Sequence, residues 1–252
     1  MGTVTLTTDG AVAELRISGA IDLAWTQQLR DHAAALRADA GVRVVKLVGE
    51  GRFFCPGGDL AWMDGQPDKQ VAIHELASTL HTGLKDLMAL DAPVVARVHG
   101  PAAGAGLSLV LGADIAIAAD SATLVMAYAG VGLSPDGGSS WLLPRLVGRR
   151  RAAEIMMLNG PIKAPDAVGM GILTKAVPED ELDAAVDAVV TQLATGPTAT
   201  YGAIKRLLGS SSQNDYETQL GLEADQIAAL AGSPTGAEGI AAFLEKRKPS
   251  FG

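Results

Sequence analysis

The chain is poor in the residues that build disulfides and metal sites. One cysteine, Cys55, stands among 252 residues, which excludes an intrachain disulfide and a cysteine-based zinc site. The four histidines, His32, His74, His81 and His99, show no HxxxH or HxH spacing, so no metal is expected. Basic charge is scarce too: 20 Lys and Arg against 28 Asp and Glu leave a formal net charge of −8. A nucleic-acid backbone needs a basic face, so no nucleic-acid partner is expected. A small anion can still be held by a few lysines or by backbone N–H groups. The longest apolar region, AAGAGLSLVLGADIAIAA, is interrupted by Asp114 and several glycines. It suits a buried strand and helix better than a membrane span. MGTVTLTTDG has no basic start followed by an apolar run, so no signal peptide is expected. These absences together predict a soluble, cytoplasmic protein with no membrane partner.

What is present is apolar bulk with an ordered pattern. Hydrophobic residues make up 48% of the chain and charged residues 19%, enough for a sizeable core. VTLTTDGAVAELRI alternates as two strands joined at Asp9-Gly10, a hairpin signal. Helical spacing runs from about Leu23 to Ala40, and VRVVKLVG then reads as a strand leading into the glycine-rich EGRFFCPGGDL. VAIHELASTLHTGLKDLMAL is a long amphipathic helix. Its His74 and His81, seven apart, fall on one half-exposed face. PVVARVHG is another strand, PAAGAGLSLVL a small-residue loop that opens a helix, and DIAIAA and ATLVMA two further strands.

Strand, glycine loop and helix therefore recur near Gly57 and near Gly104, predicting an α/β fold of repeated ββα-like units. The glycines lack the GxGxxG spacing with a trailing acid, so a dinucleotide fold fits poorly. Beyond Asp136 the pattern is nearly all helical. GRRRAAEIMMLNG and APDAVGMG precede the edge strand ILTKAV, and EDELDAAVDAVVTQLATG places its acids at a helix N-terminus. Three more helices after Pro197 look like a C-terminal appendage.

CPGGDL and AAGAGLS share one physical property. Each lets a ligand carbonyl approach backbone N–H groups, and a helix N-terminus adds positive potential. Tight packing of strand on helix uses the same small residues. GLSPDGGSSW holds one carboxylate, Asp136. Its neighbours suit a turn residue or the cap of the following helix. Whether it is instead the acid that does the chemistry, its neighbours alone do not say.

GRFFCPGGDL, the run from VHGPAAGAGLS to RRRAAEIM, APDAVGMGILTKAV and AAFLEKRKPSF are similar to the crotonase, or enoyl-CoA hydratase/isomerase, superfamily. The resemblance spans residues 3–252 in collinear order. It implies a crotonase-like spiral of ββα units over residues 1–195 and a C-terminal helical trimerisation region over 196–252, in a homotrimer or a dimer of trimers. It implies an acyl-CoA thioester substrate, with CoA part of that substrate and no separate cofactor. The oxyanion donors carried over are the backbone N–H groups of Gly58 and Ala105. Cys55, Gly57, Asp59 and Leu60, with the segment near Ala20 to Leu23, are expected along the pantetheine and adenine. Lys246 and Lys248 match basic residues that the family offers to CoA phosphates, although EKRK also reads as a solvated helix end. Where many members have Asn-Ala-Leu after a proline, this chain reads GAIDLAW.

Hydratases of the family carry two glutamates, at positions where this chain has Ser108 and Tyr128. Adding water needs a base for the water and an acid for the α-carbon, so hydration is not expected. Ser108 and Tyr128 are assigned to substrate binding instead. Isomerases of the family, the ring isomerase of phenylacetate breakdown among them, place an Asp or Glu at the position of Asp136. Asp136 is therefore expected to transfer a proton, desolvated by Val131, Leu133, Trp141 and Leu142. Trp141 and Met126 are candidates for a ring-sized wall. Aryl-CoA dehalogenases of the family place a nucleophilic Asp at the same position. That alternative, a weak hydratase and a non-catalytic acyl-CoA binder stay open at this point.

Overall fold

The computed structural model describes residues 2–251; Met1 and Gly252, the end residues of the ranges above, lie outside the described residues. β1 (Thr3–Asp9) and β2 (Val12–Ser18) form the expected antiparallel hairpin, with Gly10 at a φ of 56° in its turn. α1 (Leu23–Ala38), β3 (Val44–Glu50), α2 (Leu60–Asp64), α3 (Lys69–Met88) and β4 (Val94–Val98) follow. Then come β5 (Ala102–Ala103), α4 (Ala105–Gly112), β6 (Ile115–Ala119), β7 (Thr123–Val125), α5 (Ser139–Leu158) and β8 (Ile162–Lys163). The remainder is α6 (Ala164–Gly169), β9 (Lys175–Val177), α7 (Leu182–Ala194), α8 (Thr198–Ser211), α9 (Tyr216–Ala231) and α10 (Pro234–Leu244).

The pairing shows a spiral. β2, β3, β4, β6 and β9 lie side by side in parallel, with β1 antiparallel at the edge. Beside this sheet, Cys55 bridges Ala102 in parallel and β5 pairs in parallel with β7. Each turn thus contributes a long strand and then a short one: β3 and Cys55, β4 and β5, β6 and β7. Each then returns through a helix. β9 is the edge strand that ILTKAV suggested. β5 and β8 were not expected as strands, because two residues cannot show a periodicity.

Trp25, Leu29, Leu15, Ile17, Leu47, Leu80, Leu107 and Leu124 fill the space between the sheets and helices without exposure. Met126 is buried with them in the core, so it walls no ring-sized pocket. α7 packs Leu182, Val186 and Val190 on the outer face of the sheet, against Val44, Val95, Ile117 and Val177. Part of the acidic surplus serves as helix caps. Asp22, Asp59, Asp68 and Asp215 each accept a backbone N–H at the start of α1, α2, α3 and α9.

α5 begins nine residues of helix before the expected GRRR segment and bends at Gly148, where φ is 76° and ψ 156°. α8 is tied to the body by Arg43, which donates to the Gly196 carbonyl just before it at 2.5 Å and to Thr198 Oγ1 at 3.3 Å, and by Lys205 to Asp114 at 2.8 Å. α9 and α10 meet at 75° and leave Ile227, Phe243 and Leu244 exposed. No single helix among the described residues is long and apolar enough to cross a membrane.

Candidate active site

Two small-residue loops meet where the first two turns of the spiral touch. The Phe54 and Cys55 N–H groups donate to Pro101 O at 3.0 and 3.4 Å, and Ala103 N–H donates to Cys55 O at 2.9 Å. Contact this close excludes side chains. A Cβ on Gly106 would lie 2.3 Å from Cys55 O, and one on Gly57 would lie 2.6 Å from Ala103 O. Gly57 also has a φ of 90°, which turns the chain so that Gly58 follows against the cavity. Ala105 is the first residue of α4, so its N–H has no acceptor within the helix. Neither Ala105 N–H nor Gly58 N–H donates to a backbone acceptor among the described residues. Gly58, Ala105, Gly57, Leu60 and Ile21 line one cavity of about 280 Å³, together with Tyr128 and Asp136.

The Asp136 side chain is not a helix cap. α5 begins after Gly138, which has no side-chain cap, and the turn is closed by the Asp136 carbonyl. That carbonyl accepts Ser139 N–H at 3.2 Å, Ser139 Oγ at 2.8 Å and Ser108 Oγ at 3.0 Å. The carboxylate is thereby left for the cavity. Gly137, with a φ of 60°, makes this possible, because a Cβ there would sit 2.7 Å from Ser108 Cβ. Oδ1 of Asp136 accepts the Tyr128 hydroxyl at 2.5 Å. Oδ2 lies 3.9 Å from His81 Nε2. Nε2 itself accepts Gly137 N–H at 3.1 Å, which places the imidazole proton on Nδ1.

Ser108 and Tyr128 are therefore partners of Asp136 before they are contacts for a substrate. Ala127, at a φ of 59°, turns the end of β7 back so that Tyr128 faces the carboxylate. Burial, and then the neighbouring Asp136 charge, pushes the Tyr128 phenol well above its ordinary range. The hydroxyl consequently stays protonated and donating to about pH 10. Tyr128→Phe is expected to lower kcat roughly tenfold, the worth of a hydrogen bond to a charged group. Steady-state kinetics of wild type and variant under the same conditions would read the loss.

Several expected contacts lie elsewhere. Cys55 is buried, and burial pushes its thiol up to about 12, so it is part of the scaffold rather than of the ligand surface. Asp59 caps α2 by accepting Trp62 N–H at 2.9 Å. Val131 and Leu133 line the same cavity as Asp136 but are themselves 49% and 39% exposed; the Asp136 oxygens are met by Tyr128 and approached by His81. Trp141 and Leu142 line a second cavity. Lys246 and Lys248 line neither cavity; they follow α10, which packs on α9. His81 and His74, which the sequence placed on an ordinary half-exposed face, line the second and the first cavity respectively. Their seven-residue spacing was the available signal: two helical turns put both on the face that α3 turns toward Asp136.

Two unengaged backbone donors and one carboxylate around a cavity are the groups with which a site can hold a carbonyl and stabilise an enolate while a proton moves. The enoyl-CoA hydratase/isomerase family pattern matches residues 15–252, and the chain belongs to that family, the crotonases. It is 38% identical to the 1,2-epoxyphenylacetyl-CoA isomerase of Escherichia coli strain K12 over 229 residues, 89% of this chain and 86% of that protein. It is 32% identical to the 4-chlorobenzoyl coenzyme A dehalogenase-1 of an Arthrobacter species over 217 residues, 85% of this chain and 79% of that protein. The crystal structure of an enoyl-CoA hydratase from Mycobacterium smegmatis superimposes with a TM-score of 0.93 at 30% identity, covering 98% of each chain. The protein is a crotonase-fold enzyme acting on acyl-CoA. Its relatives carry the names isomerase, dehalogenase and hydratase, so family membership alone does not choose the reaction.

Proposed function

We propose that this enzyme isomerises an enoyl-CoA thioester, moving the double bond into conjugation with the carbonyl. The carrying observation is Asp136: a single carboxylate, held at one oxygen by Tyr128, on the same cavity as Gly58 and Ala105. The thioester oxygen accepts the Gly58 and Ala105 N–H groups. Asp136 removes a proton from the α-carbon of a 3-enoyl thioester, and the electrons move into a dienolate held by those donors. The protonated Asp136 then returns the proton to the γ-carbon. One group serves as base and then as acid, so no second carboxylate is required. Hydration would need a second acid or base for water, and Ser108 is occupied with the Asp136 carbonyl. Ultraviolet absorbance with two substrates tests this. A 3-enoyl-CoA should gain the conjugated absorbance, and a 2-enoyl-CoA should keep it. Loss of the 2-enoyl absorbance without gain from the 3-enoyl substrate would sink the proposal.

His81 favours one second reading. In a hydrolytic reaction of the dehalogenase kind, Asp136 would attack a ring carbon, a halide would leave, and water would cleave the resulting ester. His81 Nε2, 3.9 Å from Oδ2, is placed to take the proton of that water. Its engagement with Gly137 N–H ranks this reading second. An acid-quenched turnover with an aryl-CoA halide, read by intact mass, distinguishes the two through an adduct on Asp136. The apolar side chains that α9 and α10 leave exposed support the expected homotrimer, which sedimentation velocity would separate from a monomer.

A further inference from the structure

The Asp136 carboxylate hangs from a loop that no strand holds. Residues 126–138 join β7 to α5, and Gly132, Gly137 and Gly138 take φ values of 73°, 60° and 80° there. One peptide group of this loop, between Asp136 and Gly137, is held at both ends by two different helices. Ser108 Oγ, from α4, donates to its carbonyl at 3.0 Å, and His81 Nε2, from α3, accepts its N–H at 3.1 Å. Among the described residues, the second bond is the only hydrogen bond between α3 and residues 132–138. α3 gives it a rigid base. Leu76, Leu80 and Leu87 are buried, and a Cβ on Gly83 would lie 3.1 Å from Arg30 N, so the helix lies close against α1. His81 lines the second cavity and not that of the two free backbone donors, so it reaches Asp136 from behind.

We propose that His81 is a positioning residue: it fixes the peptide from which the Asp136 side chain springs and leaves Oδ2 as the oxygen that exchanges the proton. The inference rests on the acid–base reading of Asp136 above. Oδ1 accepts the Tyr128 hydroxyl and is less free to take a proton from carbon. His81 Nε2 lies 3.9 Å from Oδ2 but has no proton to offer it, because its lone pair accepts Gly137 N–H. Oδ2 therefore keeps its lone pairs for the substrate. Without the His81 bond the peptide is free to turn about the end that Ser108 holds, and the carboxylate turns with it. A displacement of about 1 Å at a reacting group costs up to about 10²-fold in rate. In the hydrolytic reading His81 moves a proton; here it only accepts a hydrogen bond, so the two roles differ in what can replace the ring.

The experiment is a double-mutant cycle read as kcat and KM on a 3-enoyl-CoA: wild type, His81→Phe, Asp136→Asn and the pair, with His81→Gln as the rescue. Phenylalanine keeps the ring and has no acceptor, whereas glutamine carries a carbonyl oxygen to the place of Nε2. His81→Phe should lower kcat about tenfold with KM within about twofold, and His81→Gln should regain most of the loss. In the Asp136→Asn background His81→Phe should cost nothing more, because a residue that acts through a carboxylate has no effect once it is gone. Wild-type kcat in His81→Phe, an equal loss in His81→Gln, or a loss that persists beside Asp136→Asn overturns the proposal.

Amide hydrogen exchange reads the bond itself without turnover. Labelling with carbonyl-13C aspartate and 15N glycine leaves signals from three Asp–Gly pairs, at Gly10, Gly65 and Gly137. The Gly137 amide should exchange at least about tenfold more slowly in wild type and His81→Gln than in His81→Phe. Equal rates in wild type and His81→Phe overturn the proposal. If His81→Phe does not fold, a wild-type Gly137 amide that exchanges as fast as that of Gly10, in the open hairpin turn, overturns it instead. Asp136→Asn with wild-type turnover, or a wild type that leaves the 3-enoyl thioester unchanged, would reject the acid–base reading and the positioning role with it. A dead Asp136→Asn beside an unimpaired His81→Phe would reject the positioning role alone.

Discussion

Asp136→Asn is expected to bind acyl-CoA as wild type does and to isomerise it about 10³-fold more slowly, within the range that a positioned acid–base group contributes. The substitution suits the site. Asparagine keeps the shape of aspartate, and its Oδ1 can still accept the Tyr128 hydroxyl that now donates at 2.5 Å. The turn does not depend on the carboxylate, because Ser139 and Ser108 bond to the residue 136 carbonyl. The fold therefore holds, and the melting temperature should move by no more than a few degrees. What is lost is the proton-accepting oxygen, which no neighbour replaces: His81 Nε2 already accepts Gly137 N–H. A variant that kept wild-type turnover would make Asp136 a turn residue and assign the chemistry elsewhere. The readout is kcat on a 3-enoyl-CoA beside a binding titration with a saturated thioester.

The second large effect concerns a group invisible to ordinary side-chain substitution. Ala105→Pro removes one of the two proposed oxyanion donors by removing its N–H. Residue 105 is the first of α4, the position at which proline is best tolerated in a helix. Its N–H has no acceptor in the helix that the change would strand. Loss of one such donor costs about 10²–10³ in kcat, because the charge that develops on the thioester oxygen loses a partner in a confined site. The proline ring also takes the space in front of the donor, so KM should rise as well. Circular dichroism with kcat and KM checks this. Unchanged kcat would mean that the two loops meet for packing alone, the competing reason for small residues there.

The sequence carried the scaffold of this site further than its connections. The Asp9-Gly10 hairpin, the two glycine loops and the edge strand at ILTKAV were readable, because each leaves a periodic or compositional trace over several residues. The role of Asp136 was ambiguous, since Pro-Asp-Gly is a turn signal wherever it occurs. The positive φ of Gly137 and the use of the backbone carbonyl show that its side chain is not the helix cap, and neither has a sequence signature. Ser108 and Tyr128 were legible as departures from the glutamates of hydratases. Their bonds to a residue in the next loop depend on the third dimension. Asp59 shows the opposite error. It lies beside Gly58 and suggested a ligand contact, yet it caps a five-residue helix too short to announce itself. Lys246 and Lys248 follow a helix whose main packing partner is α9, and within one chain they line neither cavity, so a basic motif in the sequence does not by itself place a basic group at the site.

The central claim is that Asp136 exchanges protons with carbon, and hydrogen–deuterium exchange reads that step directly. A 2-enoyl-CoA incubated with enzyme in deuterium oxide is quenched and weighed by mass spectrometry. The Asp136 side chain is 26% exposed, so its proton equilibrates with solvent. Wild type should introduce deuterium at the γ-carbon, one mass unit at a time, and Asp136→Asn should introduce essentially none. A product heavier by a whole molecule of water, formed equally well by both proteins, would contradict the account.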